Sequence, residues 1–228
     1  MIKMLVTSFY HTLIDDEESI PTSTMLELDR LRNNNTKITI ITNGTLEDVL
    51  YYNHDYPFID YIIALNGGVL LDVNNNKKIY GKAFTKQEIK RISNSFANKE
   101  IIYYSENNKY NSLPQEKIYK ISIKLSKKET SIYRIKNYMQ SVFIDEENYY
   151  LEISNNISWE MLKLLLKKEN IKSDELLCII QNDSEKAISE NINNTFILHN
   201  GLKGLKGKRC SKTNNNKGVE TIIKKEIK

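Results

Sequence analysis

The sequence predicts an α/β protein in which a parallel sheet covered by helices is interrupted by a smaller α+β segment. Three observations predict it: short apolar runs alternate with helical periodicity through the first third of the chain, the alternation changes from about Gly81, and it returns after about residue 152. The length agrees, since 228 residues suit one large domain or a core with a smaller one inserted.

Ile2 to Thr7 is a short apolar run expected as a buried strand, and Asp15 to Glu18 as an acidic surface loop after it. Pro21 suits a first helical turn, and Met25, Leu28 and Leu31 recur at helical spacing until Asn33-Asn34-Asn35 breaks the pattern. Lys37 to Thr42 reads as a second strand, Asn43-Gly44 as a turn, and Thr45 as the cap of a helix through Val49 and Leu50. Tyr61 to Leu65 makes a third strand, which Asn66-Gly67-Gly68 turns back through Val69 to Leu71. The middle then predicts a helix at Thr85 to Phe96, strands near Ile101 to Tyr104 and Ile118 to Leu125, a helix around Ile132 to Met139, and a strand at Tyr149 to Ile153. Trp159, Leu162, Leu165 and Leu166 restore the helical period. A strand at Leu176 to Ile180, a short helix, a strand at Thr195 to Leu198 and a last helix from Val219 follow. The expected organisation is a core of residues 1–80 and 152–228 with residues 81–151 inserted as a lid-like α+β unit. The triple-Asn stretches at 33–35, 74–76 and 214–216 fall between elements and read as polar turns.

Composition narrows the function classes without choosing one. Hydrophobic residues at 40% and charged residues at 27%, with 8 Gly and 3 Pro, describe a folded globular chain rather than a linker or a disordered one. The net charge of +4 comes from scattered lysines, so no nucleic-acid partner is expected. No stretch of about 18 uncharged apolar residues exists to span a membrane, and the opening apolar run is too short for a signal-peptide core, so the expected location is cytoplasmic. Cys178 lies in an apolar run and Cys210 in a basic loop, without metal-ligand spacing, and the expectation is one buried thiol and one incidental thiol. The basic loop Gly201 to Arg209 does not satisfy the P-loop pattern in any register. Tyr103-Tyr104 and Tyr149-Tyr150 read as alternating strand residues, and His54 and His199 have no partner that would make a triad or metal set.

In an open α/β sheet, ligands sit beyond the carboxyl ends of the strands, which here brings together Ser8 to Thr12, Thr42 to Thr45, Asn66 to Gly68 and Gln181 to Lys186. The order and content of these segments resemble the haloacid dehalogenase superfamily, in particular the Cof-type sugar-phosphate phosphatases. The resemblance spans nearly the whole chain. It is carried by Val6-Thr7 with Thr12-Leu13-Ile14, by Ile40 to Gly44 with Leu46 to Val49, by Ile59 to Ile63 with Leu65 to Gly68, and by Asn214 to Val219. It implies a Rossmann-like core with an α/β cap, and phosphoryl transfer through an aspartyl phosphate assisted by Mg²⁺.

The residues standing at the family's catalytic positions depart from that chemistry. Where the family has a DxDGT loop, this chain has Ser8-Phe9-Tyr10-His11-Thr12, so Ser8 and Tyr10 replace the nucleophilic and the acid–base Asp. A serine hydroxyl needs an adjacent base, and His11, the nearest candidate, stands where the family uses Gly. Trp159 takes the place of the family's Lys. In the metal loop, Gln181-Asn182-Asp183-Ser184-Glu185-Lys186, alignment on the strand puts Asn182 and Lys186 at the two Asp positions, while a one-residue slide would restore Asp183. No catalytic residue, no metal site and no cofactor are therefore expected. The resemblance leaves Ser8, Thr42, Asn43, Gly44, Asn66 and Lys186 as candidate ligand-binding residues for phosphate or a phosphorylated small molecule, with Lys186 as the cation. Against this, Thr42 can simply cap its turn and Asn66 simply fit a hairpin. The leading expectation is a pseudoenzyme binding a phosphorylated small molecule or a protein partner. A diverged active phosphatase and a purely structural subunit remain as alternatives.

Overall fold

The computed structural model describes residues 1–54, 57–126, 129, 140–145 and 148–227. In chain order, the first third contains β1 (Met4–Ser8), α1 (Thr22–Asn33), β2 (Lys37–Ile41), α2 (Leu46–Asn53), β3 (Tyr61–Ala64), β4 (Val69–Asp72) and β5 (Lys77–Gly81). The middle holds α3 (Lys86–Ser95), β6 (Ile101–Tyr104), β7 (Lys109–Tyr110), β8 (Lys120–Leu125), β9 (Gln140–Asp145) and β10 (Asn148–Ser154). Then come α4 (Ser158–Glu169), β11 (Leu176–Ile180), α5 (Lys186–Asn191), β12 (Thr195–Ile197), β13 (Lys208–Arg209) and α6 (Gly218–Glu226). The helix expected around Ile132 to Met139 lies outside the described residues.

Two sheets result. The first has the order β13-β12-β11-β1-β2-β3-β4-β5. Its strands from β13 to β3 are parallel; β4 runs antiparallel to β3, and β5 antiparallel to β4. Helices cover both faces, so the central strands are apolar on both sides and alternation only decides which helix layer each residue meets. Leu5, Ile38, Ile40, Ile62 and Leu177 pack with Leu28 and Leu31 of α1, Val49 of α2 and Ile222 and Ile223 of α6. The intervening Met4, Val6, Ile41, Ile63, Cys178 and Ile180 pack on the other face with Leu162, Leu165 and Leu166 of α4 and Ile188 of α5. Both cysteines are free, Cys178 buried and Cys210 half-buried.

Local signals explain where the elements begin and end. Thr45 and Asp48 form a reciprocal capping box at the start of α2, as Thr85 and Glu88 do for α3. Asn66, at φ 55, turns β3 into β4. The strand β5 was not expected from the sequence: Lys77 and Lys78 give it the exposed, charged look of a loop, which is also how an edge strand avoids further pairing. Of the triple-Asn segments, that at 214–216 does more than turn. Asn214 is buried, and its side-chain amide donates to the Ile14 carbonyl at 3.0 Å, tying the chain's last loop to the segment after β1.

The second sheet is antiparallel throughout, in the order β7-β6-β8-β10-β9. One face, with Tyr103, Ile121, Ile123, Leu151 and Ile153, packs against Ile89 of α3 as a separate small core. The strand β10 stays paired with β8 through Ser154, so residues 152–154 belong to this sheet, three residues past the expected boundary at 151. Among the described residues no helix is long and apolar enough to cross a membrane.

Candidate functional site

The carboxyl ends of β1, β2 and β11 come together because these strands are neighbours in the parallel sheet, and the loops leaving them form one side of a cleft of about 290 Å³. Tyr10 and His11 from the loop after β1, Asn43 and Gly44 after β2, and Asn182 after β11 line that side. The opposite wall is the second face of the second sheet. Period-two alternation puts Ile102 and Tyr104 of β6, Lys120 and Ser122 of β8, and Tyr150 and Glu152 of β10 on it, with Lys109 of β7 at the edge.

At the centre of that wall, Lys120, Ser122 and Glu152 are polar and buried. Register sets Tyr104 opposite Lys120 and Ser122 opposite Glu152. Lys120 Nζ lies 2.8 Å from Glu152 Oε1 with both side chains buried, and it sits 4.1 Å from the centre of the Tyr104 ring. Ser122 is 2% exposed and its hydroxyl has no hydrogen-bond partner among the described residues. A buried hydroxyl without a partner carries a desolvation cost that a ligand in the cleft can remove. Sequence reasoning missed this wall. The signal was the pair of alternating polar sets Lys120-x-Ser122-x-Lys124 and Tyr150-x-Glu152-x-Ser154, set against the apolar residues between them.

The expected site residues divide into those that reach the cleft and those that lie beneath it. Asn43 and Gly44 reach it, as does Asn182. A Cβ at Gly44 would come within 2.7 Å of Asp48 Oδ2 and 3.0 Å of the Tyr10 ring, so a side chain there would push on both. Thr42 is buried below, where its hydroxyl accepts the Gly44 N–H at 2.9 Å and thus holds the turn. Asn66 is buried too, and its amide donates to the Ser154 hydroxyl at 3.2 Å. Lys186, expected to bring positive charge, is exposed at the start of α5 and does not line the cleft; the cations that do are Lys109 and Lys120. Trp159 stands on α4 against the first sheet's second core layer, with Lys163 Nζ 5.5 Å from its ring centre.

Ser8 is fully buried and does not line the cleft. It donates to Glu185 Oε2 at 2.7 Å and accepts the Gln181 N–H at 3.2 Å. The same Glu185 oxygen accepts the N–H groups of Gln181 at 3.0 Å and Asn182 at 2.9 Å, and the Asn182 side chain reaches Oε1 at 3.4 Å. Thr12 closes the arrangement by donating to Gln181 Oε1 at 3.2 Å. Burial pushes the Glu185 carboxyl above its ordinary range, and these donors work against that rise. The sequence reading gave Glu185 no role: it placed Asn182 and Lys186 at the metal positions, with Asp183, which is exposed, as the alternative carboxylate.

Tyr10, at the cleft's edge, has its phenol raised above the usual range first by burial and then by the nearby Asp48 charge. Burial also opposes ionisation of Asp48, but the Thr45 amide and Lys109, 3.1 Å away, outweigh it and hold this carboxyl below the usual range.

The implied Mg²⁺ does not fit this donor set. A hard cation wants several oxygen ligands, preferably charged. The loop ends offer Ser8, Asn182 and a single buried carboxylate, Glu185, already engaged by four hydrogen bonds. Among the described residues no group of three or more His, Cys, Asp or Glu side chains is placed to hold a metal ion.

Comparison with known proteins gives the site a family. Among solved structures, the chain is similar to a haloacid dehalogenase-like hydrolase from B. subtilis, with a TM-score of 0.84 and 15% identity over 99% of this chain and 100% of that one. It is similar to a Bacteroides thetaiotaomicron protein studied among the phosphatases of the HAD superfamily, with a TM-score of 0.81 and 15% identity over 99% and 95% of the two chains. A Plasmodium vivax protein named as a HAD/COF-like hydrolase aligns with a TM-score of 0.80 and 14% identity over 98% and 95%. Identities this low speak for the fold alone. No curated protein matches in sequence. The family model for haloacid dehalogenase-like hydrolases, however, matches residues 11–223, which takes in every loop of the cleft from His11 onward. By that match the chain belongs to the haloacid dehalogenase-like hydrolases.

Proposed function

We propose that this chain binds a small phosphorylated, hydroxyl-bearing molecule in the cleft without Mg²⁺, and that it does not hydrolyse it through a covalent phosphoryl-enzyme. The observation that carries the reading is the second-sheet wall: a buried Lys120–Glu152 pair beside the unpartnered Ser122 hydroxyl. A pair that is already neutralised presents a donor and an acceptor side by side with no net charge, which suits ligand hydroxyls better than a second ion. Asn43, across the cleft, and Lys109 at the edge of the wall, where it also meets Asp48, suit the anionic end. In this reading the inserted segment, residues 81–151 extended by the end of β10 through Ser154, acts as the cap over a core of residues 1–80 and 155–228.

The loss of hydrolysis follows from the groups at the floor. Ser8 has its hydroxyl turned to Glu185, and neither Tyr10 nor Trp159 supplies the carboxylate or the ammonium that the family's chemistry uses. Losing a nucleophile outright removes several orders of magnitude of rate and leaves binding.

Calorimetric titration with inorganic phosphate and glucose 6-phosphate in EDTA tests the reading. Binding is expected without metal and weaker at high salt. Ser122→Ala, which removes a hydroxyl without leaving a charge behind, should weaken the sugar phosphate by about 3- to 10-fold and phosphate hardly at all. No heat at millimolar ligand would favour a purely structural subunit. Hydrolysis of p-nitrophenyl phosphate above about 1 per second, dependent on Mg²⁺, would favour an active phosphatase.

A further inference from the structure

Glu185 is 1% exposed, yet among the described residues its carboxylate is paired with no cation; it is met instead by hydrogen-bond donors from the end of β1 and from the loop after β11. Three of them converge on one oxygen: the Ser8 hydroxyl at 2.7 Å, the Gln181 N–H at 3.0 Å and the Asn182 N–H at 2.9 Å. Two consecutive backbone N–H groups and a hydroxyl pointing at one atom form an anion-binding concavity in their own right. A buried carboxylate is costly unless its oxygens are satisfied this way, and charge-assisted bonds of this length are the stronger kind.

We propose that Glu185 is an internal ligand: its carboxylate occupies, from within the chain, an anion pocket made by Ser8, Gln181 and Asn182, and thereby bars both an external anion and a divalent cation from the carboxyl end of β1. An outside anion finds the donors taken. A cation finds Ser8's proton directed at Glu185, Oε2 met by three donors and Oε1 by the Asn182 side chain. Any ligand of the cleft is thus confined to the side lined by the Asn43-Gly44 turn and the second sheet. The pocket does not depend on which molecule the cleft binds, so failure of the sugar-phosphate titrations leaves it standing, and its own failure leaves those titrations untouched.

The test is to remove the internal ligand and supply an external one. Glu185→Ala leaves the three donors facing a vacated space the size of a carboxylate. Sodium formate is expected to raise the melting temperature of that variant by several degrees over sodium chloride at equal ionic strength, in a saturable way. It should do nothing of the kind for the native chain, and the effect should fall sharply in Ser8→Ala/Glu185→Ala. A folded Glu185→Ala that responds to formate and chloride alike, or a native chain that responds to formate as strongly as the variant, overturns the proposal. If Glu185→Ala does not fold in chloride, refolding in formate, read by far-ultraviolet circular dichroism, decides: recovery supports the internal ligand and equal failure overturns it. On the native chain, titration with MgCl₂ should release no heat; a saturable heat that disappears in Glu185→Gln overturns the claim against the cation.

Discussion

At position 8 a hydroxyl stands where the family resemblance implies a nucleophilic carboxylate, and the carboxylate in the neighbourhood is instead Glu185, buried and turned inward. That exchange has a pH signature. Burial raises the folded-state pKa of Glu185 above its ordinary value of 4.5, so over the interval between those two values the folded chain holds more protons than the unfolded one. Stability from this group therefore falls as pH rises through that interval, the reverse of an ion-paired acid. Asp48 and other lowered carboxyls slope the opposite way, so the readable quantity is the difference between two chains. Comparing urea unfolding of the native protein and Glu185→Gln from about pH 4.5 upward, the native chain is expected to lose ground to the variant as pH rises. A constant difference across the range would mean that burial does not control this carboxyl.

At the scale of elements, the cleft depends on two tight features. One is the turn at Asn66–Gly67. Gly67 has φ +90, and a Cβ there would lie 2.5 Å from the Ile157 carbonyl carbon and the Ser158 nitrogen, where α4 begins. Gly67→Ala is thus expected to cost about 2 kcal/mol or more, seen as a lower urea midpoint with an unchanged slope. The other is the capping box of α2, which follows directly on the Asn43-Gly44 turn. Thr45→Ala removes the side-chain acceptor for the Asp48 N–H and should cost about 1 kcal/mol. Because Asp48 also pairs with Lys109, the same change should loosen the edge of the cleft and weaken phosphate binding measurably.

Across the whole molecule, the two sheets touch where the 105–109 turn meets the start of α2. The Leu46 N–H donates to the Glu106 carbonyl at 2.8 Å, Lys109 pairs with Asp48 at 3.1 Å, and Lys78 of β5 pairs with Glu106. A ligand that bridges the Asn43-Gly44 turn and the Lys120–Glu152 wall would add to these links. At a hundredfold excess over its Kd it should stabilise the chain by about 2.7 kcal/mol, or a melting rise of about 5–10 °C for a protein of this size. Thermal melts with glucose 6-phosphate in EDTA read this directly, and an unchanged melting temperature at millimolar ligand would mean that the folded chain does not bind it.

The sequence alone determined the α/β class, most strand and helix positions and the family resemblance, because apolar period, caps and Asn/Gly turns are local signals. Thr45 with Asp48 and Asn66 with Gly67 are legible within three residues of each other. It also showed that Ser8, Tyr10 and Asn182 depart from the family's chemistry, since residue identity at a motif position needs no coordinates. Tertiary structure alone decided what those residues do instead. The Ser8–Glu185 bond joins positions 177 apart and exists because β1 and β11 pair in parallel register. The Lys120–Glu152 pair exists because two antiparallel strands present the same face, and that Lys109 and Lys120 line the cleft follows from how the second sheet packs over the loop ends. Contacts made by strand pairing depend on register and facing, which the order of residues along one chain does not express.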